Sequence, residues 1–278
     1  TAVVTVEDNL DPTALTQDTT VQLDANGQAS ISAGDIDNGS SDNCSIATST
    51  LDITNFNCSD IGDNTVTLTV TDASGNSSSA TAIVTVEDDL DPTALTQDIT
   101  VQLDANGQAS MSAGDIDNGS SDNCSIATST LDISNFDCSD LGDNMVTLSV
   151  TDTSGNSSSA TAVVTVEDNL DPTALTQDIT VQLDANGQAS IADSDIDDGS
   201  SDNCSIATST IDISNFDCSD IGDNTVTLSV TDTSGNSSSA TAVVTVEDDL
   251  NPVAVTQDIT VQLDANGQAS ISAGDIDN

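Results

Sequence analysis

Lysine, arginine, histidine, tryptophan and tyrosine are all missing from this 278-residue chain. Without histidine, neither a Ser–His–Asp nor a Cys–His nucleophilic centre can be assembled, and zinc loses one of its customary ligands. Without lysine there is no Schiff-base chemistry and no amine for an intramolecular amide cross-link. Without tryptophan or tyrosine there is no aromatic platform for a sugar face. Together these absences point away from an enzyme. No apolar run reaches the 18 residues that mark a membrane helix, so no membrane insertion is expected in this segment. The first ten residues lack the positive n-region of a signal peptide. The sequence starts and stops inside a recurring pattern, and is read as a segment of a longer chain.

What is present is acid. Forty-eight Asp and Glu residues give a formal charge of −48, far outside the magnitude of about 2–8 that suits a small soluble domain. Such a chain repels nucleic acid and anionic lipid, so nucleic acid is excluded as a partner. The natural partners are cations.

The sequence repeats. Pro12, Pro92, Pro172 and Pro252 recur at one interval of 80 residues, and Cys44, Cys124 and Cys204 keep it, as do Cys58, Cys138 and Cys218. Residues 11–90 and 91–170 align without gaps and differ at ten positions. A period of 80 is too long for a solenoid and suits a small domain. The expected domains are 11–90, 91–170 and 171–250, preceded by the last strand of another repeat at 1–10 and followed by the start of a truncated repeat at 251–278.

Within 91–170 the hydrophobic period is two. Ile99, Val101 and Leu103 share one face, Val146, Leu148 and Val150 another, and Ala162, Val164 and Val166 a third. The turn sequences "DANG" (Asp104–Gly107) and "TSGN" (Thr153–Asn156) read as hairpin closures. Helix signals are missing. The pattern predicts an all-β fold: tandem Ig-like β-sandwich domains of 80 residues in a beads-on-a-string rod. Leu, Ile, Val and Phe make only 17 of the 80 residues, close to the roughly 20% below which a charged chain tends to disorder.

Two cysteines per repeat, with no metal-type CxxC spacing, predict one disulfide inside each repeat: Cys44–Cys58, Cys124–Cys138 and Cys204–Cys218. Such a loop stabilises by roughly 3 kcal/mol in the chain-entropy account. Disulfides also place the protein outside the reducing cytosol, extracellular or at a cell surface.

The stretch "SDNCS…FDCSDLGDNMVTLSVTDTSGNSSSATAVVTVED" resembles the hyalin-repeat (HYR) type of Ig-like module, through its "DNC" step, its "GDN-VTL-VTD-SGN" strand and turn, and its closing "VTVED". Near-identical tandem copies with paired cysteines are also similar to the giant repetitive surface adhesins of gliding Bacteroidetes. That resemblance implies surface adhesion and gliding motility. The reading it supports is a stalk or filament segment that extends an adhesive tip. The rival readings are a repeat-borne receptor or glycan-binding module and an extracellular matrix or S-layer fibre. Surfaces, glycans, other filament subunits and neighbouring repeats of the same chain are then the candidate partners.

The run "VEDDLDPTA" (Val86–Ala94) and its copies resemble the calcium-binding linkers of cadherins, where acidic residues around a proline bridge two sandwiches. Hard oxygen ligands suit Ca²⁺, which takes 6–8 of them. The resemblance nominates Glu87, Asp88, Asp89 and Asp91 with Asp115 and Asp117 at one junction. At the next it nominates Glu167, Asp168 and Asp171 with Asp195 and Asp197, and after that Glu247, Asp248 and Asp249. "DIDNGSSDN" (Asp35–Asn43) fails as an EF-hand, because Ser40 stands at position 6 and Ile46 at position 12. "DTSG" (Asp152–Gly155) matches an aspartic-protease signature in letters only, since each copy falls at a turn.

Overall fold

The computed structural model describes residues 1–277, and the chain falls into two compact units. One comprises Thr1–Leu103 with Gln108–Glu167, the other Asp104–Gly107 with Asp168–Asn278. The first unit holds two copies of one motif and the second holds a third.

The first copy runs β1 (Thr19–Gln22), β2 (Gln28–Ser30), α1 (Ala33–Ile36), β3 (Ile46–Leu51), β4 (Asn55–Asn57), a 3₁₀ turn (Cys58–Asp60), β5 (Gly62–Asp72) and β6 (Ser77–Glu87). The second copy is β7 (Ile99–Gln102), β8 (Gln108–Ser110), α2 (Ala113–Ile116), β9 (Ile126–Leu131), β10 (Asn135–Asp137), β11 (Gly142–Asp152) and β12 (Ser157–Glu167). The third is β13 (Ile179–Gln182), β14 (Gln188–Ser190), α3 (Asp193–Ile196), β15 (Ile206–Ile211), β16 (Asn215–Asp217), β17 (Gly222–Asp232) and β18 (Ser237–Glu247).

Each copy makes a four-stranded sheet, ordered β1-β6-β5-β3 in the first, over a two-stranded one, β2-β4. The architecture is the expected all-β, Ig-like sandwich in tandem. Its centre is the long hairpin β5–β6, where the period-two pattern sends Val66, Leu68, Val70, Ala82, Val84 and Val86 inward. Phe56 from the small sheet, Ile31 just after β2 and Ile36 from α1 meet them.

Two local expectations change. "TSGN" closes the β11–β12 hairpin, but "DANG" closes none. β1 and β7 instead pair in parallel with β6 and β12, so this turn hands the chain from one sheet to the other. The short helices were also missed. Asp115 Oδ2 accepts from both the backbone N–H and the hydroxyl of Ser112, an N-terminal cap legible in "SAGD".

Residues 1–10 form no strand. Residues 259–262 repeat the β7 sequence yet form none either. The parallel partner of β7 lies 65 positions further on (Ile99↔Val164).

Acidic side chains also build the frame. Asp52, Asp132 and Asp212 accept from the backbone N–H of Thr67, Thr147 and Thr227 at 2.7–2.8 Å, tying the loop after β3 to β5 and its counterparts. These N–H donors hold all three carboxyls below the usual aspartate range. A depressed folded-state pKa contributes stability above the unfolded value of about 3.9, lost as pH falls through the folded one. Asp132→Ala is therefore expected to cost about 1 kcal/mol at neutral pH, after allowing for solvent screening. Urea unfolding at a series of pH values should find that difference shrinking below about pH 4. A difference independent of pH would contradict it.

Candidate metal centre

The acidic run before each proline is pinned rather than loose. In the second copy, Asn156 Nδ2 donates to the carbonyl of Asp88 at 2.8 Å, and the Ser158 hydroxyl donates to the carbonyl of Pro92. Pro92 is buried. These contacts turn Asp88 into the end of the second sandwich, where it is 5% exposed.

Two further aspartates meet it. Asp152 closes β11, is 2% exposed, and accepts from the backbone N–H groups of Ser154, Gly155 and Asn156. Asp122 comes from the "SDNC" loop, its Oδ2 accepting from Cys124 N–H at 2.9 Å. Asp88, Asp122 and Asp152 each bring one carboxylate oxygen within 4.8 Å of the others. Asn123 joins them, its Nδ2 donating to Asp88 Oδ1 at 3.1 Å. Asp122 Oδ1 and Asn123 Oδ1 are buried atoms without a hydrogen-bond partner.

The arrangement recurs in the second unit as Asp168, Asp202 and Asp232. Here Asp168, 4% exposed, has a buried Oδ2 with no partner, as has Asp202 Oδ1. In the first copy Asp8 and Asp42 lie together with the Cys44 thiol. Hydrogen bonding to the Asp8 carboxylate, and its charge, push that thiol's pKa up. The equivalent of Asp152 there is Asp72. Burial opposes its ionisation, but donors from Asn76, Gly75 and Ser74 outweigh that and hold its carboxyl below the usual range.

Of the residues nominated from sequence, Asp88 and Asp168 enter these clusters. Glu87, Glu167 and Glu247 point elsewhere, accepting from Gln22, Gln102 and Gln182. Asp89 and Asp249 are exposed, and Asp248, also exposed, accepts from Leu250 N–H. Asp91 and Asp171 line shallow clefts of about 300 Å³, shared with Asp122–Asn123 and Asp202–Asn203. Asp115 and Asp195 cap α2 and α3, while Asp117 and Asp197 accept from Ser120 and Ser200 N–H. The clusters' other members, Asp122 and Asp152, carry a signal that was in view: "SDNC" and "VTDTSGN" recur with the prolines at the same period.

The disulfides correct the sequence reading. Cys58 bonds Cys124, 66 residues away, with Cα atoms 5.4 Å apart. Cys138 and Cys204 are also disulfide-bonded, while Cys44 and Cys218 are free and exposed. None of the three pairings inside a repeat forms. The Cys58–Cys124 bond instead joins the 3₁₀ turn of one copy to the "SDNC" loop of the next. Spacing along one repeat could not reveal a partner in its neighbour.

Gly27 makes room for this bond. Its φ is +69°, and a Cβ there would lie 2.5 Å from Cys58 Sγ and 2.8 Å from the carbonyl of Asn123.

No protein-family model and no curated protein matches the sequence. Among solved structures the chain is similar to mouse cadherin-23 EC22-24, at 13% identity and a TM-score of 0.34, covering 86% of this chain and 99% of that one. It is similar to titin domains I67-I69 at 9% identity and 0.33, with the same coverage. For protocadherin gamma B7 extracellular cadherin domains 1-4 the values are 12% and 0.32, covering 80% of this chain and 69% of that one. Values this low bear on nothing beyond a general likeness to tandem β domains.

The disulfide pattern predicts two free thiols per denatured, unreduced chain, those of Cys44 and Cys218. Pairing within repeats would leave none. Gly27→Ala should raise the count to four by blocking Cys58–Cys124. A thiol titration that finds zero in the parent chain would refute the assignment.

Proposed function

We propose that this chain is a non-enzymatic, extracellular structural segment, a stalk or filament of a repetitive surface adhesin. Its repeats, 11–90, 91–170 and 171–250, are held in register by calcium at their junctions. The observation that carries this reading is the recurring group of two buried aspartates and one half-buried one in a chain without a single basic side chain. At an effective dielectric of 20, two charges 4.8 Å apart repel by roughly 3 kcal/mol before any hydrogen-bond donor offsets it. A divalent cation reverses the sign of this term.

The donor set fits calcium. Asp88, Asp122 and Asp152 would supply carboxylate oxygens, and Asn123 an amide oxygen once its side chain, whose Nδ2 donates to Asp88, turns over; all are hard ligands, with water completing the 6–8 that Ca²⁺ takes. Asp168, Asp202 and Asp232 would hold a second ion. No soft or imidazole ligand competes for either site. The bound ion would fix the run between two sandwiches, which otherwise is extended only by repulsion between its own charges. Disulfides persist in oxidising surroundings, which supports the extracellular assignment.

The test is thermal unfolding of the whole chain in calcium and in EGTA. Saturation at about 100 times Kd adds roughly 2.7 kcal/mol, which for domains of this size raises Tm by roughly 10 °C or more. The double variant Asp122→Asn/Asp202→Asn should lose most of that rise. Equal melting in both buffers would leave a disulfide-linked, charge-extended spacer. A rise of the same size with magnesium would assign the site to divalent cations in general.

A further inference from the structure

The metal centre and the disulfide share one three-residue loop, "DNC" at Asp122–Cys124. Asp122 is a member of the cluster and has a buried oxygen without a partner, Asn123 holds Asp88 through its amide Nδ2, and Cys124 carries the bond to Cys58. The loop is gripped from the opposite side by the preceding copy. Asn123 Nδ2 donates to the carbonyl of Asp24 at 3.1 Å while also donating to Asp88. The carbonyl of Asn123 lies 3.6 Å from Cys58 Sγ. Hence the peptide that positions the ligands is the one that brings the two sulfurs together.

We infer that cation binding at Asp88, Asp122 and Asp152 and the Cys58–Cys124 disulfide are energetically coupled, so that the junction is a redox-sensitive calcium clasp. This rests on the calcium reading above. Reduction by an external dithiol moves two electrons and two protons onto the protein: the S–S bond breaks, Cys58 and Cys124 become thiols, and the dithiol closes to a cyclic disulfide. The loop then loses its covalent tie to the preceding copy, and Asp122 and Asn123 lose their fixed place beside Asp88. Preorganisation is lost, and affinity falls with it. In the other direction, an ion on Asp88, Asp122 and Asp152 fixes the loop, keeps Cys124 beside Cys58 and raises the effective concentration of one thiol at the other. Linkage requires the two effects to be the same factor. Couplings of this kind typically span about 5–150-fold, and we expect about tenfold, equal to about 30 mV for a two-electron couple.

The experiment equilibrates the intact chain with graded ratios of reduced to oxidised dithiothreitol, in calcium or in EGTA. After alkylation and Asp-N digestion, mass spectrometry gives the fraction of Cys58–Cys124 remaining; trypsin finds no site in this sequence. Calorimetry on the same samples measures calcium affinity. The clasp predicts a midpoint needing about ten times more reductant in calcium, and about tenfold weaker calcium binding once the bond is reduced. Asp122→Asn should abolish the shift while leaving the bond formed in EGTA. Calcium binding with identical midpoints would overturn the coupling and spare the site. No calcium binding at all would overturn both.

Discussion

Carboxylates buried without a basic partner are the constraint on which this structure turns. Asp88 and Asp152 sit almost fully inside a chain of net charge −48. Backbone N–H groups and the amides of Asn123 and Asn156 satisfy some of their lone pairs. Hydrogen-bond donors cannot cancel the net charge, and Asp122 Oδ1 and Asn123 Oδ1 remain buried without a partner. A chain that lacks lysine, arginine and histidine must take its counter-charge from solution.

The rest of the architecture delivers residues to that point. The β11–β12 hairpin carries Asp152 and Asn156 at its turn, and Asn156 pins the run that bears Asp88. The "SDNC" loop adds Asp122 and Asn123 and continues into Cys124. With little apolar mass in each sandwich, much of the order around the cluster comes from side-chain hydrogen bonds and one covalent bond, to which the proposed ion would add. Repetition brings the cluster back, as Asp88, Asp122 and Asp152 and again as Asp168, Asp202 and Asp232.

The sequence made the sandwich legible because alternating Val, Leu and Ala residues, such as Val146, Leu148 and Val150, can sit only in half-buried strands. It also revealed the period and the importance of the proline junction, and it picked out Asp88 and Asp168. Its failures share one cause. Cys58–Cys124 crosses from one copy to the next, Asp122 and Asp152 join Asp88 from 34 and 64 positions further along the chain, and β7 pairs in parallel with β12 rather than across its own turn. All three are contacts at long sequence separation. The cadherin resemblance nominates Asp115 and Asp117, and their carboxylates accept from Ser112 and Ser120.

The most direct measurement is a crystal structure of the chain grown in calcium, with anomalous scattering to identify the ion. The account predicts a calcium peak about 2.3–2.6 Å from oxygens of Asp88, Asp122 and Asp152, with Asn123 Oδ1 turned toward it, and an equivalent peak at Asp168, Asp202 and Asp232. Carboxylates that bridge only to water, with calcium seated elsewhere on the exposed acidic surface, would contradict it.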